Sequence, residues 1–420
     1  MDLSKHNLRL VISAVILMLL ASYAGIVPGC EAREKANRTG TSVSERKLKA
    51  VVSAPVDRYA IGCVLPLTGR YAAAGNKALQ SIILATGVFD PFVKSPVKLI
   101  IEDSKSDPET ARKAVRKLAI QDGVLCIIGP ISNAEAPDAA KEAQRLKIPI
   151  IALVQRENIT DVGDYVFRNY MTNGMQIKAL VKYAIEYMDL KKCAVLYPND
   201  NYGREMEKLF KSEVYNQGAE IQKSRSYNKT QTDFGEEIKD IADIKILLPE
   251  GSENRSPEDV YKTIIKFDTL FIPDSPARLN MILPQLAFYN IRGVKLLGTN
   301  AWNSPELLTT GAEYLEGAVF TDGFSLSSFY PEANDFIDVF YTNYSREPGV
   351  MEALVYDAAK LIVTIIKDYE IETRDQLRDR ILRIQNYRGI TGRTTFQGMR
   401  DAQKDLFILM VKDGRIIQVK

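Results

Sequence analysis

Histidine, the side chain that most often serves as a general acid or base, is almost missing from this sequence. The only histidine among the 420 residues is His6, which lies in an apolar leader. The folded part therefore has no serine–histidine–aspartate or cysteine–histidine system, no histidine metal motif and no imidazole pH switch. Residues 69–75 also lack the Gly-Lys-Ser/Thr ending of a phosphate-binding loop. The sequence indicates a protein that is not an enzyme and needs neither a cofactor nor a metal.

A second group of side chains has the chemistry to hold a small polar solute. Each lies shortly after an apolar, strand-like run, and open α/β sheets bind ligands beyond the carboxyl ends of their strands. The first half of the chain offers Thr68, Tyr71, Ser132, Asn133, Leu153 and Gln155, and the rest offers Asp200, Tyr202, Asp274, Ser275, Asn300, Trp302 and Asp322. A hydroxyl and helix-terminal N–H groups at Ser132 would hold a carboxylate. A second-half acid, Asp274 or Asp322, would pair with an ammonium group, so the pattern suits a zwitterion.

Several of these side chains also have a purely structural interpretation. Ser132, Asp274 and Asp322 follow strands and precede helices or loops, where such residues often cap the next element. Tyr202 would then pack at a helix N-terminus, and Trp302, the only tryptophan, would fill a hydrophobic core. The sequence leaves both interpretations open.

The amino-terminal residues predict export and a lipid anchor. Lys5 and Arg9 precede an uncharged apolar stretch over 10–27, which is the architecture of a secretory signal. Its end, Val27-Pro28-Gly29-Cys30, resembles a bacterial lipobox, whose cysteine accepts a diacylglyceryl group. We expect residues 1–29 to be a signal peptide, Cys30 to be lipidated and residues 30–56 to form a polar tether. The body would then face the periplasm of a bacterial cell envelope. An uncleaved N-terminal anchor is the alternative.

The other cysteines lie in apolar, strand-like runs and form no Cys-X-X-Cys pair. Buried free thiols are therefore expected at Cys63, Cys126 and Cys193. A disulfide between Cys63 and Cys126 is the alternative in an oxidising compartment, and it would require neighbouring strands in a suitable register.

The composition, with 46% hydrophobic and 26% charged residues, describes a folded chain long enough for two or three domains. Lysine and arginine (55) nearly balance aspartate and glutamate (53), so no global field favours nucleic acid as a partner. β-Rich and amphipathic helical segments alternate, which is typical of a parallel α/β sheet. The first series has strands over 59–65, 97–103, 124–129 and 148–153, with helices over 75–89, from 107 and over 132–146.

A second series of the same kind follows. Its strands are predicted over 194–197, 220–227, 269–272, 295–298 and 318–321, with helices that begin near 202, 233, 275 and 304. Helices over 331–344, 352–369 and 374–385 and a hairpin over 406–419 complete the chain. The surplus helices indicate that the chain returns to its first lobe. We expect two doubly wound parallel-sheet lobes joined by a multi-strand hinge: lobe I from 57–171 and 324–391, and lobe II from 172–323 and 392–420.

Several motifs resemble those of type I periplasmic binding proteins of the leucine/isoleucine/valine-binding class. They are Ile61-Gly62-Cys63-Val64-Leu65-Pro66-Leu67-Thr68-Gly69, residues 72–75, Glu102-Asp103, Ile128-Gly129-Pro130, Ile148-Pro149-Ile150-Ile151-Ala152, Val195-Leu196-Tyr197 with Asn199-Asp200-Asn201-Tyr202-Gly203, Tyr356-Asp357-Ala358 and Asp413-Gly414. The resemblance covers about 59–420 and implies that Tyr202 packs on a ligand. It implies a receptor that presents an amino acid or amide to an ABC permease in the inner membrane.

Three further motifs are similar to the LpoA-like penicillin-binding protein activators, a branch of the same superfamily. They are Phe271-Ile272-Pro273-Asp274-Ser275-Pro276, Pro284-Gln285-Leu286-Ala287-Phe288-Tyr289 and Leu297-Gly298-Thr299-Asn300-Ala301-Trp302-Asn303-Ser304-Pro305. Members of that branch often carry a helical-repeat domain before this fold, whereas only the predicted tether precedes residue 59 here. This resemblance implies an alternative function, a lipoprotein that regulates peptidoglycan synthesis through a penicillin-binding protein and needs no small ligand.

Overall fold

The alternation of strands and helices produces two separate sheets, so the predicted α/β class is confirmed. The structure, a computed structural model, describes residues 54–90, 92, 94–243, 245–246, 261–262, 264–310 and 312–420. The predicted signal peptide, Cys30 and nearly all of the predicted tether lie outside the described residues. Within those residues, no helix combines the length and the apolar character needed to cross a bilayer.

Lobe I contains a five-stranded parallel sheet in the order β2-β1-β3-β4-β5. Its elements are β1 (Asp57–Leu65), α1 (Ala72–Thr86), β2 (Lys98–Asp103), α2 (Pro108–Ile120), β3 (Val124–Ile128), α3 (Ala136–Arg145), β4 (Ile150–Ala152) and β5 (Val166–Arg168). The central strand β3 is buried throughout. Its unbroken apolar sequence is typical of a parallel strand that is covered on both faces. Helices α2 and α3 cover one face, and α1 packs on the other.

Lobe II repeats this topology. Its elements are α4 (Asn173–Glu186), β6 (Lys192–Pro198), α5 (Asn201–Asn216), β7 (Glu220–Tyr227), α6 (Gly235–Ile241), β8 (Lys245–Ile246), β9 (Tyr261–Lys262), β10 (Thr269–Phe271), α7 (Pro276–Phe288), β11 (Lys295–Gly298), α8 (Leu307–Thr310) and β12 (Val319–Asp322). The parallel order β7-β6-β10-β11-β12 matches that of lobe I, and an antiparallel hairpin extends the sheet beyond β12. Strands β8 and β9 form a separate ribbon.

The chain then returns to lobe I. Its last elements are α9 (Pro331–Tyr344), α10 (Val350–Asp368), α11 (Arg374–Leu382), β13 (Tyr387–Gly389), β14 (Gly392–Thr395), β15 (Gln403–Lys404), β16 (Phe407–Lys412) and β17 (Arg415–Gln418). Helix α10 packs on α1 and contributes to the lobe I core. Strands β16 and β17 form the hairpin on the lobe II sheet.

Within the described residues the chain passes between the lobes three times, after β5, after β12 and between β15 and β16. The predicted assignment of residues 392–402 to lobe II needs correction. Phe396 and Ala402 lie in the lobe I core, and β14 pairs with β13 and β15 instead of the lobe II sheet. The third crossing therefore lies at 404–407.

The expectation of buried free thiols is confirmed at Cys63, Cys126 and Cys193. Strands β1 and β3 are neighbours, but Cys126 lies opposite Ile61, and Cys63 lies opposite Ile128. Burial raises the pKa of Cys63 and of Cys193 to about 12. These thiols are therefore poor nucleophiles at neutral pH.

Candidate ligand-binding site

Each sheet reverses its winding direction between two strands, and many of the predicted site residues follow those strands. The reversal lies between β1 and β3 in lobe I and between β6 and β10 in lobe II. Such switch points create the crevice in which open α/β sheets bind ligands. The chain leaves β5 and β12 at their carboxyl ends to cross between the lobes, so the carboxyl edges of both sheets lie next to the hinge. These two carboxyl edges are the candidate half-sites, one on each lobe.

The loop after β1 is held in place by the loop after β2. The Thr68 hydroxyl donates to Asp103 Oδ2 at 2.6 Å, and the Leu67 and Thr68 N–H groups donate to Asp103 Oδ1 at 2.9 and 3.1 Å. Partial burial alone would raise the pKa of Asp103, but these donors outweigh it and hold that pKa below its ordinary value. The Ser106 hydroxyl accepts from the Tyr71 N–H at 3.0 Å and donates to the Thr68 carbonyl at 3.1 Å. The Thr68 hydroxyl therefore has a structural role, because its hydrogen bond to Asp103 holds this loop in place.

The loop after β3 meets the loop after β4. Asn133 Oδ1 accepts from the Arg156 N–H at 3.1 Å, and Gln155 is exposed beside it. Ser132 is 7% exposed, and its hydroxyl accepts from the Ala134 N–H at 3.3 Å. Helix α3 begins only at Ala136, so Ser132 starts a turn before the helix and is not its N-cap.

Leu153 does not lie on the surface of this half-site. Its side chain is 2% exposed in the lobe I core, while its N–H donates to the Pro130 carbonyl at 3.0 Å. Leu153 therefore ties the two loops together through its backbone.

Tyr202 is the aromatic side chain of the lobe II half-site. It is 37% exposed, and its hydroxyl lies 3.3 Å from Thr299 Oγ1. A Cβ on Gly203 would lie 2.0 Å from the Pro198 carbonyl oxygen, so only glycine lets α5 begin this close to β6. Asp200 caps α5 through the Gly203 N–H at 2.8 Å and pairs with Lys229 at 3.1 Å, which gives it a structural role.

Asp274 is the half-buried acid of the lobe II half-site. The Tyr227 hydroxyl donates to its Oδ2, and the Ser275 N–H donates to its Oδ1 at 2.6 Å. Each carboxylate oxygen keeps a lone pair for a further donor. Ser275 is exposed next to it. Asn300 is partly buried, and its N–H donates to Gln176 Oε1 at 3.0 Å.

Trp302 does not line the cleft, which corrects one sequence expectation. Its side chain is 0% exposed and packs in the lobe II core near Phe320, with ring centroids 6.1 Å apart. Its indole N–H donates to the Asp274 carbonyl at 3.2 Å. Trp302 therefore has the structural role that the sequence offered as an alternative, packing in a hydrophobic core. Its bond to the Asp274 carbonyl places it directly beneath that residue.

Asp322 is also withdrawn from the half-site surface, since it is only 2% exposed. The Asn303 amide donates to its Oδ2 at 2.8 Å, and the Gly323 N–H donates to its Oδ1 at 2.6 Å. Burial raises the pKa of Asp322 to about 7. Of the two predicted acids, Asp274 is the more accessible.

The raised pKa of Asp322 predicts a pH-dependent stability. Unfolding returns this carboxyl to a pKa near 3.9, so the native state holds its proton more tightly and loses stability as pH rises from about 4 to about 7. We expect Asp322→Asn, which cannot ionise, to gain about 1 kcal/mol relative to the parent protein for each pH unit in this window. Urea unfolding at pH 5, 6, 7 and 8 measures the difference. If the difference in unfolding free energy between Asp322→Asn and the parent protein were constant across this range, the raised pKa of Asp322 would be contradicted.

Sequence reasoning missed two residues whose side chains hydrogen-bond to the lobe II candidates. Tyr227, which bonds Asp274, ends the edge strand β7, and Thr299, which bonds Tyr202, follows β11. Both lie at strand carboxyl ends, so the rule that selected the other candidates would have found them. Within the described residues, no group of three or more His, Cys, Asp or Glu is arranged to hold a metal ion.

The sequence profile of the periplasmic binding protein family matches residues 58–415. The Leu/Ile/Val-binding protein homolog 3 of Brucella melitensis biotype 1 is 24% identical over 159 residues, which are 37% of this chain and 43% of that protein. The match therefore spans less than half the length of this relative.

Solved structures share the fold over most of the chain. A Rhodospirillum rubrum protein named as a branched-chain amino acid ABC transporter superposes with a TM-score of 0.74 at 20% identity, over 87% of this chain and 100% of that chain. An ABC transporter substrate-binding protein from Desulfitobacterium hafniense, solved in complex with Leu, superposes with a TM-score of 0.63 at 19% identity, over 86% and 99%. The two-lobed α/β architecture is the type I periplasmic binding protein fold.

Proposed function

The chain belongs to the periplasmic binding protein family, and from that premise we propose that it is the solute receptor of an ABC transporter and binds an amino acid or amide between its lobes. The observation that carries this proposal is the pair of half-sites at the two switch points. Each half-site supplies chemistry for one end of a zwitterion.

The lobe II half-site suits an ammonium group. Asp274 is braced by Tyr227 and Ser275 and keeps lone pairs for a further donor. The partly exposed ring of Tyr202 offers a face on which the ligand packs.

The lobe I half-site suits a carboxylate. The Ser132 hydroxyl accepts one N–H and donates to no residue in the described part of the chain, so its proton is available to a ligand oxygen. Thr68 and Tyr71 lie across the switch point on a loop that Asp103 and Ser106 hold rigid. A ligand that contacts both half-sites favours the closed arrangement of the lobes.

Calorimetric titration of the full chain, purified in detergent, tests the proposal with a panel of amino acids, amides and short peptides. Trp302 fluorescence is a second readout, because the indole donates to the Asp274 carbonyl. At least one amino acid or amide is expected to bind with one site in the cleft and to change the tryptophan emission. If no member of the panel binds, the receptor proposal fails.

A second candidate function is the activation of a penicillin-binding protein. It is favoured by the LpoA-like motifs over 271–276, 284–289 and 297–305, which form the ends of β10 and β11 and part of α7. This function needs no small ligand. It replaces the receptor proposal if the panel gives no binding while the full chain captures a purified penicillin-binding protein.

We also propose that Cys30 carries a lipid and that the body of the protein lies in the periplasm. The expected result for Cys30→Ser is an unprocessed precursor without lipid, because the thiol is the group that accepts the diacylglyceryl unit. Labelling of cells with radioactive palmitate measures this, and a buried thiol variant such as Cys193→Ser is the matched control. Incorporation of label into Cys30→Ser would contradict the anchor.

A further inference from the structure

A cavity of about 310 Å³ opens on lobe I, and none of its lining residues belongs to the candidate ligand-binding site. Helices α1, α9 and α10 and strand β13 form its walls. We call it the α9–α10 pocket; it is lined by Leu84, Glu332, Asp335, Phe336, Val339, Tyr356, Asp357, Lys360, Tyr387, Arg388, Gly389 and Ile390. Its volume lies at the lower end of the range for small-molecule sites.

The inner wall of the α9–α10 pocket is aromatic. The rings of Phe336 and Tyr356 lie 4.6 Å apart between centroids, and Tyr387 adds a third ring from β13. A Cβ on Gly389 would lie 2.4 Å from Asp357 Oδ2, so glycine is needed for β13 to close against α10. Asp357 accepts from the Ile390 and Thr391 N–H groups at 2.9 Å each, which fixes this wall.

The rim carries one unpaired charge of each sign. Asp335 on α9 and Lys360 on α10 are exposed, and neither makes an ion pair or a side-chain hydrogen bond within the described part of the chain. The other two rim charges neutralise each other, since Arg388 lies 3.9 Å from Glu332. Arg388 also covers the Tyr330 ring at 5.3 Å.

We propose that the α9–α10 pocket is a second ligand site and that it takes an aromatic amino acid. The aromatic wall would receive the ring, Asp335 the ammonium group and Lys360 the carboxylate. A plain organic cation or a plain carboxylate would leave one rim charge unpaired. The inference is independent of which solute, if any, binds between the lobes.

Fluorine NMR of 4-fluoro-L-phenylalanine tests this proposal on the full chain carrying Asp274→Ala, in which binding between the lobes is expected to be weakened. We expect binding to persist in this background and to weaken about tenfold or more in Val339→Trp, because the indole would fill the pocket from a half-exposed wall position. Val339→Ala, which removes only bulk, is expected to retain binding.

Charge variants identify the role of the rim. Asp335→Asn and Lys360→Gln are each expected to weaken binding about 1.5- to fivefold. Phenethylamine and 3-phenylpropionate, which each lack one of the two ligand charges, should bind about 1.5- to fivefold more weakly than phenylalanine. Asp338→Asn and Lys367→Gln, exposed on the same two helices but outside the pocket lining, are matched controls that should leave binding unchanged. No binding to the Asp274→Ala protein, or equal binding to Val339→Trp, would overturn the proposal. Equal effects of the rim variants and the control variants on binding would also overturn the proposal.

Discussion

Replacing Asp274 by alanine is expected to weaken binding of an amino acid to the full chain by roughly thirtyfold or more. A ligand ammonium group enclosed between the lobes loses its hydration and must be matched by an acid. Losing one partner of such a desolvated pair costs on the order of 2–5 kcal/mol. Of the two acids considered, Asp274 has the accessible position, because Asp322 is only 2% exposed. Calorimetric titration of parent and variant measures the ratio of dissociation constants.

Two variants control this result. Tyr202→Phe keeps the ring and loses only the hydroxyl that lies 3.3 Å from Thr299, so a change of about fivefold or less is expected. Asp322→Ala removes a carboxyl on a residue that is only 2% exposed, so its effect on binding should be the smaller of the two aspartate variants. A larger loss of affinity for Asp322→Ala than for Asp274→Ala would contradict the assignment of the ammonium group to Asp274.

Replacing Asp357 by alanine is expected to destabilise lobe I by about 3–5 kcal/mol. This buried carboxyl on α10 accepts from the Ile390 N–H, the Thr391 N–H and the Thr391 hydroxyl. Burial raises its pKa, although these donors and the buried Lys404 oppose that rise. Alanine would leave the donors unsatisfied in a buried site, and it would remove one of the two acids, Asp357 and Asp405, whose charges act on Lys404.

The matched control is Asp368→Ala, which removes an exposed carboxyl from the end of the same helix and should change stability by less than about 0.5 kcal/mol. Urea unfolding followed by circular dichroism measures both variants, and Trp302 fluorescence reports lobe II separately. An Asp357→Ala protein as stable as the control would show that this bonding does not hold β13 and β14 to α10.

The fold was largely predictable because both lobes follow one strong pattern. Strands β7 and β11 and helix α9 have the predicted bounds. Strand β5 and helix α4 were not predicted. Strand β5 has only three residues and therefore shows no measurable alternation. Helix α3 begins four residues later than predicted, because residues 132–135 form a turn that the apolar pattern does not reveal.

The candidate site was predictable in position but not in exposure. The carboxyl-end rule selected the loops that hold Ser132, Tyr202 and Asp274. It cannot distinguish a side chain that faces the cleft from one that turns into the core, as Trp302 and Asp322 do. That choice depends on tertiary partners, the core around Phe320 for the first and the Asn303 amide for the second, which no local pattern encodes.

The central claim is that the two half-sites close on one solute, and the distance between the lobes tests it most directly. Spin labels at Arg156→Cys on lobe I and Lys229→Cys on lobe II occupy exposed positions beside the half-sites. In a Cys30→Ser background the remaining thiols, Cys63, Cys126 and Cys193, are buried and poorly reactive. Double electron–electron resonance should show a shorter label-to-label distance at saturating concentrations of an amino acid that binds in the calorimetric titration. The same addition should leave the Asp274→Ala protein unchanged, and an unaltered distance in the parent protein with that amino acid bound would contradict the account.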